Sequence, residues 1–318
     1  MSDARRDRQP VVEAKHLVKR FGKFTAVDDL TLSVDEGEIF GFLGSNGAGK
    51  TTAIRVFCGL LRPTSGVARV LGIDVTDDPE EIKRRIGYMS QRFSLYEELT
   101  VLQNLRFFGG VYGLRGKAYK EREKWAIEMT NLQGKEHLKT GDLPGGWKQR
   151  LALACAVMHR PKIVFLDEPT SGVDPISRRR FWRLIDEMAG EGITVFVTTH
   201  YLDEAEHCDR LALMHAGKLM ALGTVDELKE VFSDRAVLEV KCPDIIEGLS
   251  LMSDQEWVLE TSVFGTRMHV VVRSSEEGKR QTLRLLEESG NTPAEAREIV
   301  PSLEDVFIHH IEKEEAAK

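Results

Sequence analysis

Eight residues, GSNGAGKT from Gly44 to Thr51, satisfy the pattern GxxxxGK[ST] between an apolar strand-like run and a helical stretch. Glycines let the backbone fold so that successive N–H groups face an anion, and a helix beginning near Lys50 adds its positive end. The chemistry is phosphate binding. Gly44, Ser45, Asn46, Gly47, Ala48 and Gly49 supply the cradle, Lys50 meets the β and γ phosphates as a point charge, Thr51 ligates Mg²⁺ through its hydroxyl, and Thr52 follows at the head of the helix. Asp167 and Glu168 close the apolar run Ile163, Val164, Phe165, Leu166, which puts two carboxylates at the carboxyl end of a buried strand, where ligands of open α/β sheets collect. Asp167 is suited to Mg²⁺ contact and Glu168 to orienting an attacking water. Read alone, two acids at a strand end could as well begin a solvated turn; beside a P-loop the catalytic reading is the better one.

With these two elements in place, residues 11 to about 230 resemble the ATPase subunit of an ABC transporter, and the resemblance implies roles for further motifs. Phe21, in LVKRFG, matches the aromatic on which adenine stacks. Gln91, in GYMSQ, is similar to the loop glutamine that reaches Mg²⁺ and water and moves with a transmembrane partner. Ser171 to Asp174, SGVD, resembles the loop by which each subunit senses its twin, and Asp174 joins the nucleotide-binding set. His200, at the end of the apolar strand from Ile193, matches the switch that contacts the γ-phosphate. Taken singly these residues have plainer readings, as a core aromatic, a surface glutamine and a structural histidine. Only their order along the chain assigns them.

One motif departs from the family. Where the pattern is LSGGQ, this chain reads Leu143, Pro144, Gly145, Gly146, Trp147. In the family this loop closes on ATP bound to the partner subunit, through a serine hydroxyl, glycine N–H groups and the end of the following helix. Proline has neither hydroxyl nor N–H, so those two donors are gone. Either Pro144 merely starts the helix, a position proline tolerates, or the site is competent but weaker, with Trp147 offering a flat surface to the opposing nucleotide. A subgroup of exporter ATPases resembles this LPxGW form.

The stretch from Tyr201 to Thr224 and the ending from Pro301 to Glu312 look like the drug-resistance branch of the family. The resemblance implies a subunit that binds and hydrolyses ATP with Mg²⁺, forms a homodimer or pairs with a related ATPase subunit on ATP binding, and drives a separate transmembrane permease in export, with a membrane-fusion protein as a further partner. Such a subunit is cytoplasmic and peripheral on the inner face of the cell membrane. Two rival readings remain: a soluble ABC protein acting on ribosomes or DNA, and a module that holds ATP without turnover because of Pro144. The acidic cluster Asp203, Glu204 and Glu206 reads as a solvated helix face.

The rest of the chain must position these groups. Its 318 residues predict about two domains. No run approaches the ~20 apolar residues of a membrane span. With 44 basic and 51 acidic side chains, formal charge −7, there is no global field to attract nucleic acid. Cys58, Cys155, Cys208 and Cys242 lack metal spacing and read as small core hydrophobes in a reducing compartment. The pattern predicts a tail over 1–10 and an ATP-binding domain over 11–230. That domain is α/β, a P-loop NTPase of the ABC ATPase type, with a RecA-like core, antiparallel strands over 11–43, helices over 51–61, and a helical subdomain over about 100–150. Over 231–318 the element order βαββαβ is the ferredoxin-like arrangement of a small α+β domain, with a last helix capped at Ser302.

Overall fold

The computed structural model describes residues 10–91 and 95–316. Of the expected N-terminal tail only Pro10 lies among them, and it opens the first strand. The chain divides into two units between Leu222 and Gly223, ahead of the expected boundary near 230. The reason is local: the helix that follows Thr224 packs with the C-terminal helix of the second unit.

The first unit runs β1 (Pro10–Phe21), β2 (Phe24–Asp35), β3 (Ile39–Gly44), α1 (Lys50–Phe57), β4 (Ser65–Val70), β5 (Ile73–Asp74), α2 (Pro79–Arg85), β6 (Ile86–Met89), α3 (Val101–Val111), α4 (Gly116–Met129), α5 (Gly145–Val157), β7 (Ile163–Asp167), α6 (Pro175–Gly190), β8 (Thr194–Thr199), α7 (Leu202–Ala205), β9 (Arg210–His215) and β10 (Lys218–Gly223). Strands β2, β1, β4 and β5 form an antiparallel sheet in that order. A second sheet has the order β10-β9-β3-β8-β7-β6, parallel from β9 through β6. Strands β3, β7 and β8 are buried along their whole length, which is why they read as unbroken apolar runs instead of alternating ones. Phe40, Phe42, Phe57, Phe165 and Phe196 pack ring against ring in the core, mostly tilted or edge-on, with Phe57 and Phe165 stacked.

Helix α1 stops at Phe57, short of the expected residue 61, because Gly59 takes the left-handed conformation (φ 66°) that ends a helix. Helices α3, α4 and α5 close over a separate core of Val101, Leu105, Ala126, Leu151 and Met158, the helical subdomain expected over about 100–150. Thr100 and Gln103 cap α3 reciprocally.

The second unit runs α8 (Val225–Lys229), β11 (Ala236–Lys241), α9 (Ile245–Ser253), β12 (Val258–Phe264), β13 (Arg267–Val272), α10 (Ser275–Glu288), β14 (Glu295–Ile299) and α11 (Leu303–Ala316). The βαββαβ order is present, and the four strands pair antiparallel in the order β12-β13-β11-β14. Leu238, Val240, Met268, Val270 and Leu286 form its core. His269 on β13 meets Asp305 on α11 at 2.7 Å, and Ser302 caps α11 through Asp305.

Candidate nucleotide site

The carboxyl ends of the parallel strands β3, β7 and β8 bring together residues far apart in sequence. Beyond β3 the loop turns through Gly47 (φ 82°) and Gly49 (φ 102°) into α1. A Cβ on Gly49 would stand 2.2 Å from the Ala26 carbonyl oxygen, so only glycine fits there. Lys50 is buried; its ammonium donates to the carbonyls of Gly44 (2.7 Å) and Ser45 (3.1 Å) and lies 3.4 Å from Glu168 Oε1. Burial lowers the Lys50 pKa, and the carboxylates of Glu168 and Asp167 oppose that shift.

Asp167 ends β7. Its Oδ1 accepts from Thr51 Oγ1 (3.0 Å) and Thr198 Oγ1 (2.9 Å), while Oδ2 is buried without a hydrogen-bond partner. Burial pushes the Asp167 pKa up against those two hydroxyl donors. These residues fit a hard divalent cation: the Thr51 hydroxyl donates away and keeps its lone pairs, and the unpaired Oδ2 is an acceptor for water on such an ion. Thr51 and Asp167 are the groups that would hold it.

Glu168 follows with φ 48°, a left-handed conformation that costs a non-glycine residue about 1–2 kcal/mol. Its N–H donates to Thr198 Oγ1 at 2.9 Å, which pins the turn. Three residues then converge on its carboxylate: Lys50, Gln91 through Nε2 at 3.1 Å, and His200 with Nδ1 at 3.3 Å. Strain at this one residue turns the carboxylate from the sheet into the cleft above the loop, a space of about 330 Å³ lined in part by Asn46, Thr52, Gln91 and Glu168.

Other expected residues lie elsewhere. Phe21 is half-exposed at the end of β1, with the Lys19 ammonium 5.0 Å from its ring centre. The aromatic that lines the cleft is its cross-strand partner Phe24, which the sequence reading passed over. Pro144 is the residue before the first turn of α5 (φ −56°, ψ 151°), and no side chain caps the helix. Leu143 is buried, Pro144 and Gly145 are exposed, and Gly146 lies so close to Ser177 that a Cβ would stand 2.6 Å from Ser177 Oγ. Trp147 is half-buried between two cations of its own chain, Arg150 at 3.9 Å and Lys135 at 4.5 Å from the ring centre. Its ring packs against the helical subdomain, a use of the flat surface that the sequence reading did not weigh. Asp174 caps α6 by accepting from the N–H groups of Ile176 and Ser177.

The reading of Asp203, Glu204 and Glu206 as a solvated face needs correction. Asp203 and Glu206 are exposed, but Glu204 is 1% exposed. Glu204 lies about 100° around the helix from Asp203, and buried hydroxyl donors hold it in. Thr198 was missed as well; a threonine inside a β-branched strand carries no signal that its hydroxyl serves two neighbours.

The ABC transporter family profile matches residues 27–171. A profile described as an AAA domain, putative AbiEii toxin, type IV toxin–antitoxin system, matches residues 148–202. The chain is 56% identical over 221 residues to the probable multidrug ABC transporter ATP-binding protein YbhF of Escherichia coli (strain K12), a match that takes in 70% of this chain but only 38% of that one. It is 35% identical over 315 residues to the daunorubicin resistance ATP-binding protein DrrA2 of Streptomyces coeruleorubidus, across 96% of this chain and 97% of the other. Among solved structures, an ATP-binding subunit of an ABC transporter superposes with TM-score 0.64 at 31% identity, over 70% of this chain and 93% of that one. A dimeric post-hydrolysis ATP-binding cassette bound to ADP and Pi superposes with TM-score 0.62 at 26% identity, over 67% and 98%.

Proposed function

The chain belongs to the ABC transporter family as an ATP-binding subunit, and from that membership we propose that it binds and hydrolyses ATP to drive a separate transmembrane permease. The observation that carries the proposal is the convergence of Lys50, Gln91 and His200 on the Glu168 carboxylate beside the phosphate cradle. In this reading the loop amides and Lys50 bind the phosphates, Thr51 and Asp167 hold Mg²⁺, and Glu168 accepts a hydrogen bond from the attacking water. Mg²⁺, when bound, neutralises charge on the phosphates. Gln91 holds the Glu168 carboxylate toward the cleft, and His200 stands where a γ-phosphate oxygen would meet it.

Two copies close on two nucleotides, each presenting Leu143–Trp147 to its partner. The names of the relatives, multidrug and daunorubicin resistance, support export; they give no support to a membrane-fusion partner. No helix among the described residues is long and apolar enough to cross a membrane. Exposed Tyr96, Phe107 and Val111, with Tyr96 and Phe107 edge to face at 4.8 Å, support an apolar docking surface for the permease.

The test is Glu168→Gln. Turnover measured by phosphate release should fall on the order of 100-fold while calorimetric affinity for Mg·ATP holds. Unchanged turnover sinks the assignment. Absence of phosphate release from the unaltered protein with its permease favours the module that holds ATP without turnover.

A further inference from the structure

Glu204, the buried member of the acidic cluster, has no part in the nucleotide site described above. Thr170 Oγ1 donates to its Oε1 at 2.6 Å and Thr199 Oγ1 donates to its Oε2 at 2.7 Å; both threonines are 1% exposed. Arg178 Nε stands 3.3 Å from Oε1 without hydrogen-bond alignment, an electrostatic contact. The same guanidinium lies over the Tyr201 ring at 3.9 Å and reaches Asp203 at 3.4 Å.

A buried carboxylate held this way is no clear gain in stability, because desolvation offsets much of what its partners return. What the arrangement does provide is a fixed relation among three segments. Thr170 is two residues past Glu168 and immediately precedes Ser171–Asp174. Thr199 immediately precedes His200. Arg178 sits in the first turn of α6, where its N–H donates to the carbonyl of Asp174 at 3.0 Å. One side chain therefore meets the flank of the water-orienting glutamate, of the loop that faces the twin subunit, and of the histidine.

We infer that Glu204 is a positioning residue that sets His200 and the Thr170 segment against Glu168, so that turnover, and not nucleotide binding, depends on it. The inference rests on the roles proposed above for Glu168 and His200. The phosphate cradle makes no contact with this node among the hydrogen bonds described, and misplacement of a catalytic group by about 1 Å costs on the order of 100-fold in rate.

The experiment uses the full chain with Mg·ATP, single-turnover phosphate release and calorimetry. Glu204→Gln keeps the shape of the side chain but replaces one acceptor oxygen with a donor that faces a hydroxyl. The expected result is a fall in rate of at least about tenfold with the ATP dissociation constant within about twofold. In a His200→Ala background the same substitution should cost less, because the part of its effect that runs through the ring is already lost while the part that runs through Thr170 remains. Thr170→Val removes one of the donors at nearly constant volume and carries the test if Glu204→Gln does not fold; it should slow turnover at unchanged affinity. Three results overturn the inference: wild-type rates in the folded variants, affinity falling in step with rate, or losses that multiply in full with His200→Ala. Glu168→Gln separates the two claims. If that variant keeps full turnover, the site assignment itself fails; if it is inactive while Glu204→Gln turns over normally, only the role of Glu204 fails.

Discussion

Two glycine-bearing loops in the first unit each lead into a helix, and they are built in opposite ways. The loop before α1 is closed by its own chain: Gly49 is left-handed under the Ala26 carbonyl, Lys50 is buried against Glu168, and three strand ends converge behind it. The loop before α5 is held only from behind. Gly146 abuts Ser177 and Trp147 lies between Arg150 and Lys135, while Pro144 and Gly145 are exposed and the helix has no side-chain cap. A helix start left open in this way has free N–H groups for an anion brought by something else. The first loop is positioned wholly by contacts within its own chain. The second is the loop that would meet a facing copy in the dimer proposed above.

Breaking the first loop has the largest expected effect. Lys50→Ala removes the charge proposed to meet the phosphates and leaves the Glu168 carboxylate buried without its cation. Affinity for Mg·ATP should fall on the order of 100-fold, and turnover with it. Calorimetry giving equal affinity for the two proteins would contradict the role of Lys50. The unliganded variant should also melt lower, since one member of a buried pair is gone.

Asp167→Asn sharpens the comparison with a smaller effect. It should leave affinity for ATP in the presence of a chelator unchanged and remove about tenfold of the gain that Mg²⁺ brings, as expected for a lost hard ligand. Stability should move the other way. Burial raises the Asp167 pKa, so the unliganded fold favours the neutral acid. That preference is fully present below the ordinary aspartate range and is lost as pH rises through the raised value, so Asp167→Asn should match or exceed the wild-type melting temperature at pH 8 and lose that advantage at pH 4. An advantage that is larger at pH 4 would show the sign to be wrong.

The closed loop was far more legible in sequence than the elements that brace it. Gly44–Thr51 is contiguous, and its residue types are demanded by backbone geometry and phosphate charge; the acids at the end of β7 announce themselves after four apolar residues. The βαββαβ order of the second unit followed from alternation and turn residues in the same way. Glu204 was misread because pattern cannot distinguish an acid facing water from one facing Thr170 and Thr199, which come from other strand ends. Phe24 was missed because only the hairpin pairing opposite Phe21 brings it to the edge of the cleft. For Glu204 the contact with Thr170 joins residues 34 apart, beyond any local window; for Phe24 the pairing is local but its placement beside the cleft depends on the fold around the hairpin.

The smallest expected effect belongs to the open loop, and it has two parts that must be kept apart. Pro144 has the extended backbone (φ −56°, ψ 151°) that a capping serine also adopts, so Pro144→Ser needs no rearrangement. In the lone chain the new hydroxyl should cap α5 and raise stability by about 0.5–2 kcal/mol, whatever the loop does in a dimer. Pro144→Ala restores the N–H without the hydroxyl and serves as the control for losing the ring. If Pro144 also limits closure, then in a Glu168→Gln background with saturating Mg·ATP the serine variant should dimerise more tightly by about tenfold for each of the two facing sites, the lower end of what one charge-assisted hydrogen bond per site provides. Light scattering measures that step, and thermal melting without nucleotide measures the cap. A higher melting temperature with an unchanged dimer fraction would show that Pro144 acts only as the start of α5. Tighter dimerisation in the serine variant beyond that of the alanine variant would assign the difference to a hydroxyl reaching the partner's nucleotide.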